Sequence, residues 1–485
     1  MTVNHHRDDN GPATWLGSAA GHRPDTVALS AVSGQSLTYR ELYTIASQLA
    51  AGLLAAGIGP RRPLVLDLPA WETAIALHAG LLAGIPLLPL DPHLPRPHRL
   101  RLLAASGARI ALTTGAQADE GLETITFAEA LEAPVRSRPP PTPGLHGVQL
   151  IIGTSGSSGP PKGVMLSAGN LAAAVTASRA QLPLAAGDCW LGCLPLTHIG
   201  GLSVLLRCAE AGATVRLHDR FEAKSVWSDL QAGTATHISL VPAMLDRLLE
   251  VGVDSRPPRL AAALVGGGAL ADSLRGRGLA AGWPLYLSYG MSETASQIAT
   301  RRAVEPDDAS VGKPLPGFEV RVEQARLAVR GPAVMLGYAN PELIPGDGLT
   351  DDGWFLARDL VRLESGRLTV LGRVDDVLVS GGEKVHPAIV ERLLGACPGI
   401  GEVAVSAAFD SAWGDRLVAF FTGTTNAAAV ETWAREHLQG GWRPRSFLRL
   451  EALPRQGTGK LDRRRLRRLA EDMGVGTSHS CPNAS

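Results

Sequence analysis

Short apolar runs of strand length alternate along this chain with longer stretches rich in alanine and leucine. The runs PLVLDLP (63–69), ARIALTT (108–114), VQLIIGT (148–154) and AALVGGG (262–268) are nearly continuous rather than alternating apolar with polar. Strands covered by helices on both faces read this way, so the pattern predicts α/β layers with largely parallel sheets. Between 326 and 371 the texture changes: RLAVRG (326–331) and RLTVLG (367–372) are separated by Gly, Asp and Pro, which predicts a small β-rich part. After Gly372-Arg373-Val374-Asp375-Asp376 come VLVSGG (377–382), a helix over 387–396, strands near 402–408 and 416–422, and a helix near 427–438, enough for a separate α+β domain.

The expected organisation is therefore a large N-terminal region over 1–374, built of layered α/β subdomains plus the small β-rich part. A small, mobile α+β domain follows over 375–472, then a polar, disordered tail over 473–485. A length of 485 residues supports this division, because single cores stop growing at about 250–300 residues. The segment RSRPPPTPG (136–144) is too rich in proline for helix or central strand and reads as a linker. The longest apolar run, from Ala74 to Leu90, holds His78 and two prolines; it reads as a buried helix followed by a buried strand, not a membrane span.

Composition narrows the function classes. The formal net charge is zero, so nucleic acid and anionic membrane are not expected partners and any phosphate binding must be local. The five cysteines, Cys189, Cys193, Cys208, Cys397 and Cys481, are odd in number and scattered, which fits reduced thiols in the cytoplasm. Cys189 and Cys193 lack partners at zinc-site spacing and read as apolar thiols. The first residues carry no signal or transit pattern, which also leads to a cytoplasmic expectation.

The sharpest local signal lies where VQLIIGT runs into Thr154-Ser155-Gly156-Ser157-Ser158-Gly159-Pro-Pro-Lys162-Gly163. Glycines let backbone N–H groups approach an anion, hydroxyls add donors and lysine adds a mobile charge, so this is phosphate-binding chemistry. It is not a Walker loop, because no Ser or Thr follows the lysine. A flexible Ser/Gly linker is the alternative, but that would need neither the strand nor the lysine.

This loop resembles the TSGTTGxPKG signature of the adenylate-forming acyl-CoA synthetases, luciferases and peptide-synthetase adenylation domains. Further matches follow in the family's order: Val265-Gly266-Gly267-Gly268 resembles its adenine-facing glycine segment, and Tyr289-Gly-Met-Ser292-Glu293-Thr294 its YGxTE motif. Asp359, Arg373, Asp375 and Lys460 match its single-residue landmarks.

The resemblance implies ATP, Mg²⁺ and CoA as co-substrates. Glu293 would ligate Mg²⁺, Ser292 would donate to phosphate, Tyr289 would stack on adenine, and Asp359 would hold the ribose with help from Arg373. Lys460, in a glycine-flanked loop, would bridge the acid and ATP oxygens during adenylation. It is one of only five lysines among 46 basic residues, which fits a need for a compact ammonium. Asp375 would be the hinge whose rotation exchanges Lys460 for Gly381, Gly382 and Glu383. Ala357-Arg358-Asp359 departs from the family's usual Thr-Gly-Asp. The RRRLRR run (463–468) reads as a solvated helix face, and homo-oligomer formation is a tendency of the family.

Substrate choice points to Leu194-Pro-Leu-Thr-His198-Ile-Gly-Gly201-Leu-Ser203-Val-Leu-Leu-Arg207. It is most similar to the o-succinylbenzoate-CoA ligases of menaquinone biosynthesis, as are Thr236-His237-Ile-Ser239 and Ser292-Glu-Thr-Ala-Ser296-Gln297. That substrate has two carboxylates and only one is activated, so the other needs a partner in an apolar pocket. Arg207 is the candidate, directly or through water; His198 would line the pocket near the acyl group, with Ser203 and Gln297 beside it. The alternatives are a ligase for another aryl or medium-chain acid, one that loads a carrier protein, and a non-catalytic nucleotide-binding relative.

Overall fold

The computed structural model describes residues 11–115, 121–133, 144–154, 161–304, 309–410, 413–456 and 459–475. Two large sheets are built as the continuous apolar runs require. One has the strand order Gly337–Tyr338, Lys162–Ser167, Val148–Thr154, Leu87–Pro89, Leu64–Asp67, Ile110–Thr113, Glu123–Thr126. Its interior pairs are parallel, and the hairpin of Val148–Thr154 with Lys162–Ser167 is antiparallel.

The other sheet runs Ser296–Arg302, Leu285–Met291, Ala262–Val265, His237–Leu240, Cys189–Gly192, Thr214–Leu217, Val27–Ala31, Ser36–Thr38. It is parallel except at its two edges. Helices Tyr39–Ala55, Ala70–Ala83 and Ile199–Ala211 join the two sheets in one core. The run expected as buried helix and strand is Ala70–Ala83 followed by Leu87–Pro89, with His78 inside the core. Burial disfavours the imidazolium and pushes the His78 pKa down to about 4.

The β-rich part is an antiparallel sheet of Glu319–Glu323, Arg326–Arg330, Phe355–Glu364 and Arg367–Arg373. From Leu378 onward the chain has cores of its own around Val385, Leu417, Phe421 and Val430, and around Phe420 and Leu466. Its long strands, Ile400–Asp410 and Gly414–Gly423, extend beyond the expected bounds, while its helices are Pro387–Gly395, Ala427–His437 and Arg463–Val475. The last helix passes the boundary expected at 472.

The RRRLRR run is not simply a solvated face. Arg463 donates from Nη2 to Glu391 Oε2 at 3.1 Å, Arg467 from Nη2 to Asp415 Oδ1 at 2.9 Å, and Leu466 is buried between them. A spacing of four puts Arg463 and Arg467 on one side, where helix Pro387–Gly395 supplies Glu391 and strand Gly414–Gly423 supplies Asp415. VLVSGG forms a hairpin between Leu378–Ser380 and Glu383–Val385; Gly381 and Gly382 take φ of 58° and 82° at its tip, conformations open to glycine. Among the described residues, no helix is long and apolar enough to cross a membrane, and Cys189, Cys193, Cys208 and Cys397 are free thiols.

Candidate functional site

The phosphate-loop residues Ser155, Gly156, Ser157, Ser158 and Gly159 lie outside the described residues. Their anchors do not. Thr154 stands opposite Lys162 in the hairpin register and donates from Oγ1 to the Lys162 carbonyl at 3.2 Å, so the loop springs from a fixed pair of ends. Lys162 is exposed, with Nζ 4.0 Å from the centre of the Tyr338 ring. Tyr338 in turn donates its hydroxyl to Glu293 Oε1 at 3.1 Å. The sequence reading missed Tyr338, because its place depends on a two-residue edge strand that pairs with Lys162–Ser167.

Glu293 sits in a short turn, Ser292–Thr294, whose carbonyl at Glu293 accepts from Met335 N at 2.8 Å. The residues that follow leave the turn with left-handed backbone: Ala295 has φ 49° and Ser296 φ 114°, a strained arrangement for side-chain-bearing residues that also aims Ser296 and Gln297 inward. Gly290 has a steric reason to be glycine. A Cβ there would lie 1.6 Å from the Ser296 carbonyl oxygen at the bulge between Leu285–Met291 and Ser296–Arg302.

Asp359 and Arg373 face each other directly across the Phe355–Glu364 and Arg367–Arg373 pair. Arg373 Nη1 donates to Asp359 Oδ1 at 3.4 Å, and Tyr289 donates its hydroxyl to Oδ2 at 2.8 Å. The acid is buried, and it faces inward because strand alternation turns Arg358 out to solvent. Arg358 there pairs with Asp375 at 2.7 Å, and Arg373 reaches the other oxygen of Asp375 at 3.5 Å. The departure from Thr-Gly-Asp thus keeps the acid in place and adds a cation over Asp375.

Lys460 reaches this group from the smaller part of the chain. Its Cε lies 3.8 Å from where a Cβ on Gly267 would stand, and Gly459, at φ 78°, passes 2.8 Å from Val241 by the same measure. Gly267 takes a left-handed φ of 75°, and the lysine stem passes it at ordinary contact distance. Lys460 stays open to solvent along the cleft while protein walls surround it. Those walls lower its pKa, Arg373 lowers it further, and Asp359 and Glu293 oppose the shift. Ser292 stands beside Glu293 at the start of the turn.

The residues expected to line the acyl pocket lie on helix Ile199–Ala211, which starts after His198. Gly201 lets the first turn sit on the preceding loop, since a Cβ there would be 2.4 Å from the Pro195 carbonyl oxygen. His198 is held toward its neutral form by burial, with Asp91 acting against and Lys460 reinforcing that effect. Ser203 donates to the Gly200 carbonyl at 3.0 Å. One helical turn further on, Arg207 is 4% exposed. It donates from Nη2 to Gln297 Oε1 at 2.7 Å and to Ser296 Oγ at 3.3 Å, and it lies 5.4 Å over the Trp190 ring.

Both oxygen partners are neutral, and among the described residues no carboxylate pairs with Arg207. Burial lowers its pKa to about 10. Trp190 donates Nε1 to Ser239 Oγ at 3.2 Å and its ring lies tilted against His237 at 5.3 Å, so the Thr236–Ser239 segment meets Arg207 through Trp190. Gln297 is fixed by donating Nε2 to Thr300 Oγ1 at 2.6 Å.

Comparison with known proteins matches both parts of the chain. Residues 16–339 match the model of the AMP-binding enzymes, and residues 389–460 that of the AMP-binding enzyme C-terminal domain. A 2-succinylbenzoate--CoA ligase of Bacillus mycoides is 32% identical over 477 residues, covering 95% of this chain and 99% of the relative. The o-succinylbenzoate CoA synthetase of Bacillus subtilis in complex with its acyl-adenylate intermediate superposes with a TM-score of 0.83 at 31% identity, over 93% of this chain and 97% of that one. The same synthetase with ATP and magnesium ion gives 0.82 at 31% identity, over 93% and 99%. Matched along both its parts and nearly end to end by these ligases, the chain belongs to the AMP-binding enzyme family.

Proposed function

We propose that this protein is the AMP-forming ligase that activates 2-succinylbenzoate with ATP and transfers the acyl group to CoA, a step of menaquinone biosynthesis. A buried guanidinium with only neutral partners carries this reading. A charge held out of water is tolerable when an opposite charge joins it, and the second carboxylate of a diacid supplies one at Arg207. Gln297 and Ser296 aim the guanidinium, and Ser203 and His198 line the way from it to Lys460.

In the first step one carboxylate oxygen of the acid bonds to the α-phosphorus of ATP and pyrophosphate leaves. Two anions meet here, so the work is alignment and charge neutralisation. Lys460 bridges the attacking carboxylate and the phosphate; Thr154 and Lys162, with the loop Ser155–Gly159 between them, hold the leaving phosphates; Ser292 adds a hydroxyl. Asp359, aimed by Tyr289 and Arg373, takes the ribose, while Gly267 and Gly268 leave a flat wall for the base.

Glu293 offers a carboxylate oxygen, oriented by Tyr338, that suits a hard cation; Mg²⁺ bound there would supply charge neutralisation at the phosphates. In the second step the thiolate sulfur of CoA bonds to the acyl carbon, the C–O bond to phosphate breaks and AMP leaves. The boundary at 374/375 is the place for the smaller domain to turn between the steps, with Asp375 as pivot. ATP and CoA pools put the reaction in the cytoplasm.

The test is pyrophosphate release with ATP, Mg²⁺ and a panel of 2-succinylbenzoate, benzoate and octanoate, with and without CoA. Turnover confined to the diacid, accompanied by its CoA thioester and lost in Lys460→Ala, is the expected result. Preference for octanoate or benzoate would reject the substrate while keeping the ligase chemistry.

A further inference from the structure

The hairpin that delivers Lys460 is closed by backbone bonds from Gln456 N to Lys460 O at 2.8 Å and from Asp462 N to Pro454 O at 2.8 Å. Those bonds shape the hairpin without tying it to anything else. Arg455 supplies the tie. Its Nη1 donates to the Gly459 carbonyl at 2.8 Å, one residue before Lys460, and its Nη2 pairs with Glu402 on the strand Ile400–Asp410. The planar guanidinium thus spans the tip of the hairpin and the sheet behind it, as a lysine ammonium could not with one geometry.

The surroundings make this pair a fragile support. Glu402 is largely enclosed and faces Asp246 and Glu250 on helix Pro242–Val251 of the large region. Burial raises its pKa, Arg455 holds it down, and the two acids push it up again. Asp246 is itself paired with Arg277 at 2.6 Å, so without Arg455 the carboxylate of Glu402 would face Glu250 with no cation of its own where the smaller part of the chain meets the larger. The same helix follows Val241, against which Gly459 packs.

We propose that Arg455, anchored by Glu402, is a positioning residue for Lys460: it holds the Gly459–Lys460 peptide against Val241 and Gly267 so that the ammonium stands among Asp359, Arg373 and Glu293. The inference rests on Lys460 acting in adenylation, as proposed above. Arg455, whose arms go to the Gly459 carbonyl and Glu402, acts in this proposal through the lysine alone.

Single-turnover pyrophosphate release, measured with Arg455→Lys in the wild-type and Lys460→Ala backgrounds, tests it. Arg455→Lys keeps the charge beside Glu402 but loses the second arm of the fork. The expected result is a loss of about tenfold in rate, with KM for ATP and acid within about threefold, and no further loss once Lys460 is alanine. Glu402→Ala, which removes the anchor and leaves the Gly459 contact, is expected to give a smaller loss that also vanishes in the Lys460→Ala background.

A rate within twofold of wild type for folded Arg455→Lys would overturn the inference, as would the same loss in both backgrounds. Should Arg455→Lys fail to fold, Glu402→Ala decides alone by the same two criteria. If Lys460→Ala itself adenylates at the wild-type rate, the assignment of the lysine fails first and the role of Arg455 falls with it.

Discussion

Under the proposed function, Arg207 is a single residue that is costly for folding and useful for binding. Its guanidinium is enclosed, its Nε finds no protein partner, and its Nη2 meets only an amide and a hydroxyl oxygen. Replacing an unpaired buried charge by an apolar side chain of similar length is often neutral or stabilising. The ligand-free Arg207→Met protein is therefore expected to melt no lower than wild type, as scanning calorimetry would reveal, whereas a drop of several degrees would mean that the charge supports the fold. The candidate residues legible in the sequence were those whose chemistry is rare at its place: a lysine among arginines, an arginine in an apolar helix. Tyr338 and Trp190 carried no such mark, since any aromatic in a core looks the same until its hydroxyl or ring is seen to meet Glu293 or Arg207.

Elements place these residues more strictly than motif spacing does. The strand Phe355–Glu364 sends Asp359 inward and Arg358 outward by alternation alone, and the bulge at Tyr289 and Gly290 needs a glycine for the Ser296 carbonyl to pass. Continuous apolar runs made the parallel strands readable. Strand ends in the smaller part were less so, because Ile400–Asp410 and Gly414–Gly423 pair on through glycines and aspartates, residue types common in turns. The nature of the arginine-rich last helix was also misread, since the acids that meet Arg463 and Arg467 lie 72 and 52 residues away.

The glycine hairpin gives a clean test at this scale. Gly382 has φ 82° and nothing within 4 Å of a Cβ, so Gly382→Ala meets only the conformational cost of the left-handed region. A loss of about 1 kcal/mol is expected in urea unfolding of the smaller part, followed by Trp433 and Trp442 fluorescence. A loss above about 3 kcal/mol would show contacts at the tip that the fold does not contain.

At the scale of the whole molecule, the two large sheets share one core while the chain beyond Leu378 keeps its own, and Gly459 and Lys460 of the smaller part meet Val241 and Gly267 of the larger. His78 makes the large core sensitive to acid. Its folded pKa of about 4 lies below the ordinary histidine value of 6.5, so the unfolded chain binds the extra proton between those values. Stability from this group is complete above about pH 6.5 and is lost as the pH falls toward 4. Between pH 7 and 5 the loss should be about 2 kcal/mol by urea unfolding, and His78→Gln should lack it. Equal slopes for both proteins would show that His78 reaches water in the folded state.

The central claim is that Arg207 reads the carboxylate that is not activated. The most direct measurement compares kcat/KM for 2-succinylbenzoate with that for the two analogues lacking one or the other carboxylate, in wild type and Arg207→Met. A charge-assisted pair is worth about 1.5–3 kcal/mol, so the wild type should favour the diacid by roughly 10- to 150-fold over whichever analogue turns over, and the variant should favour it by less than about threefold. An Arg207→Met enzyme that keeps the wild-type preference would contradict the account, because the second carboxylate would then be recognised elsewhere.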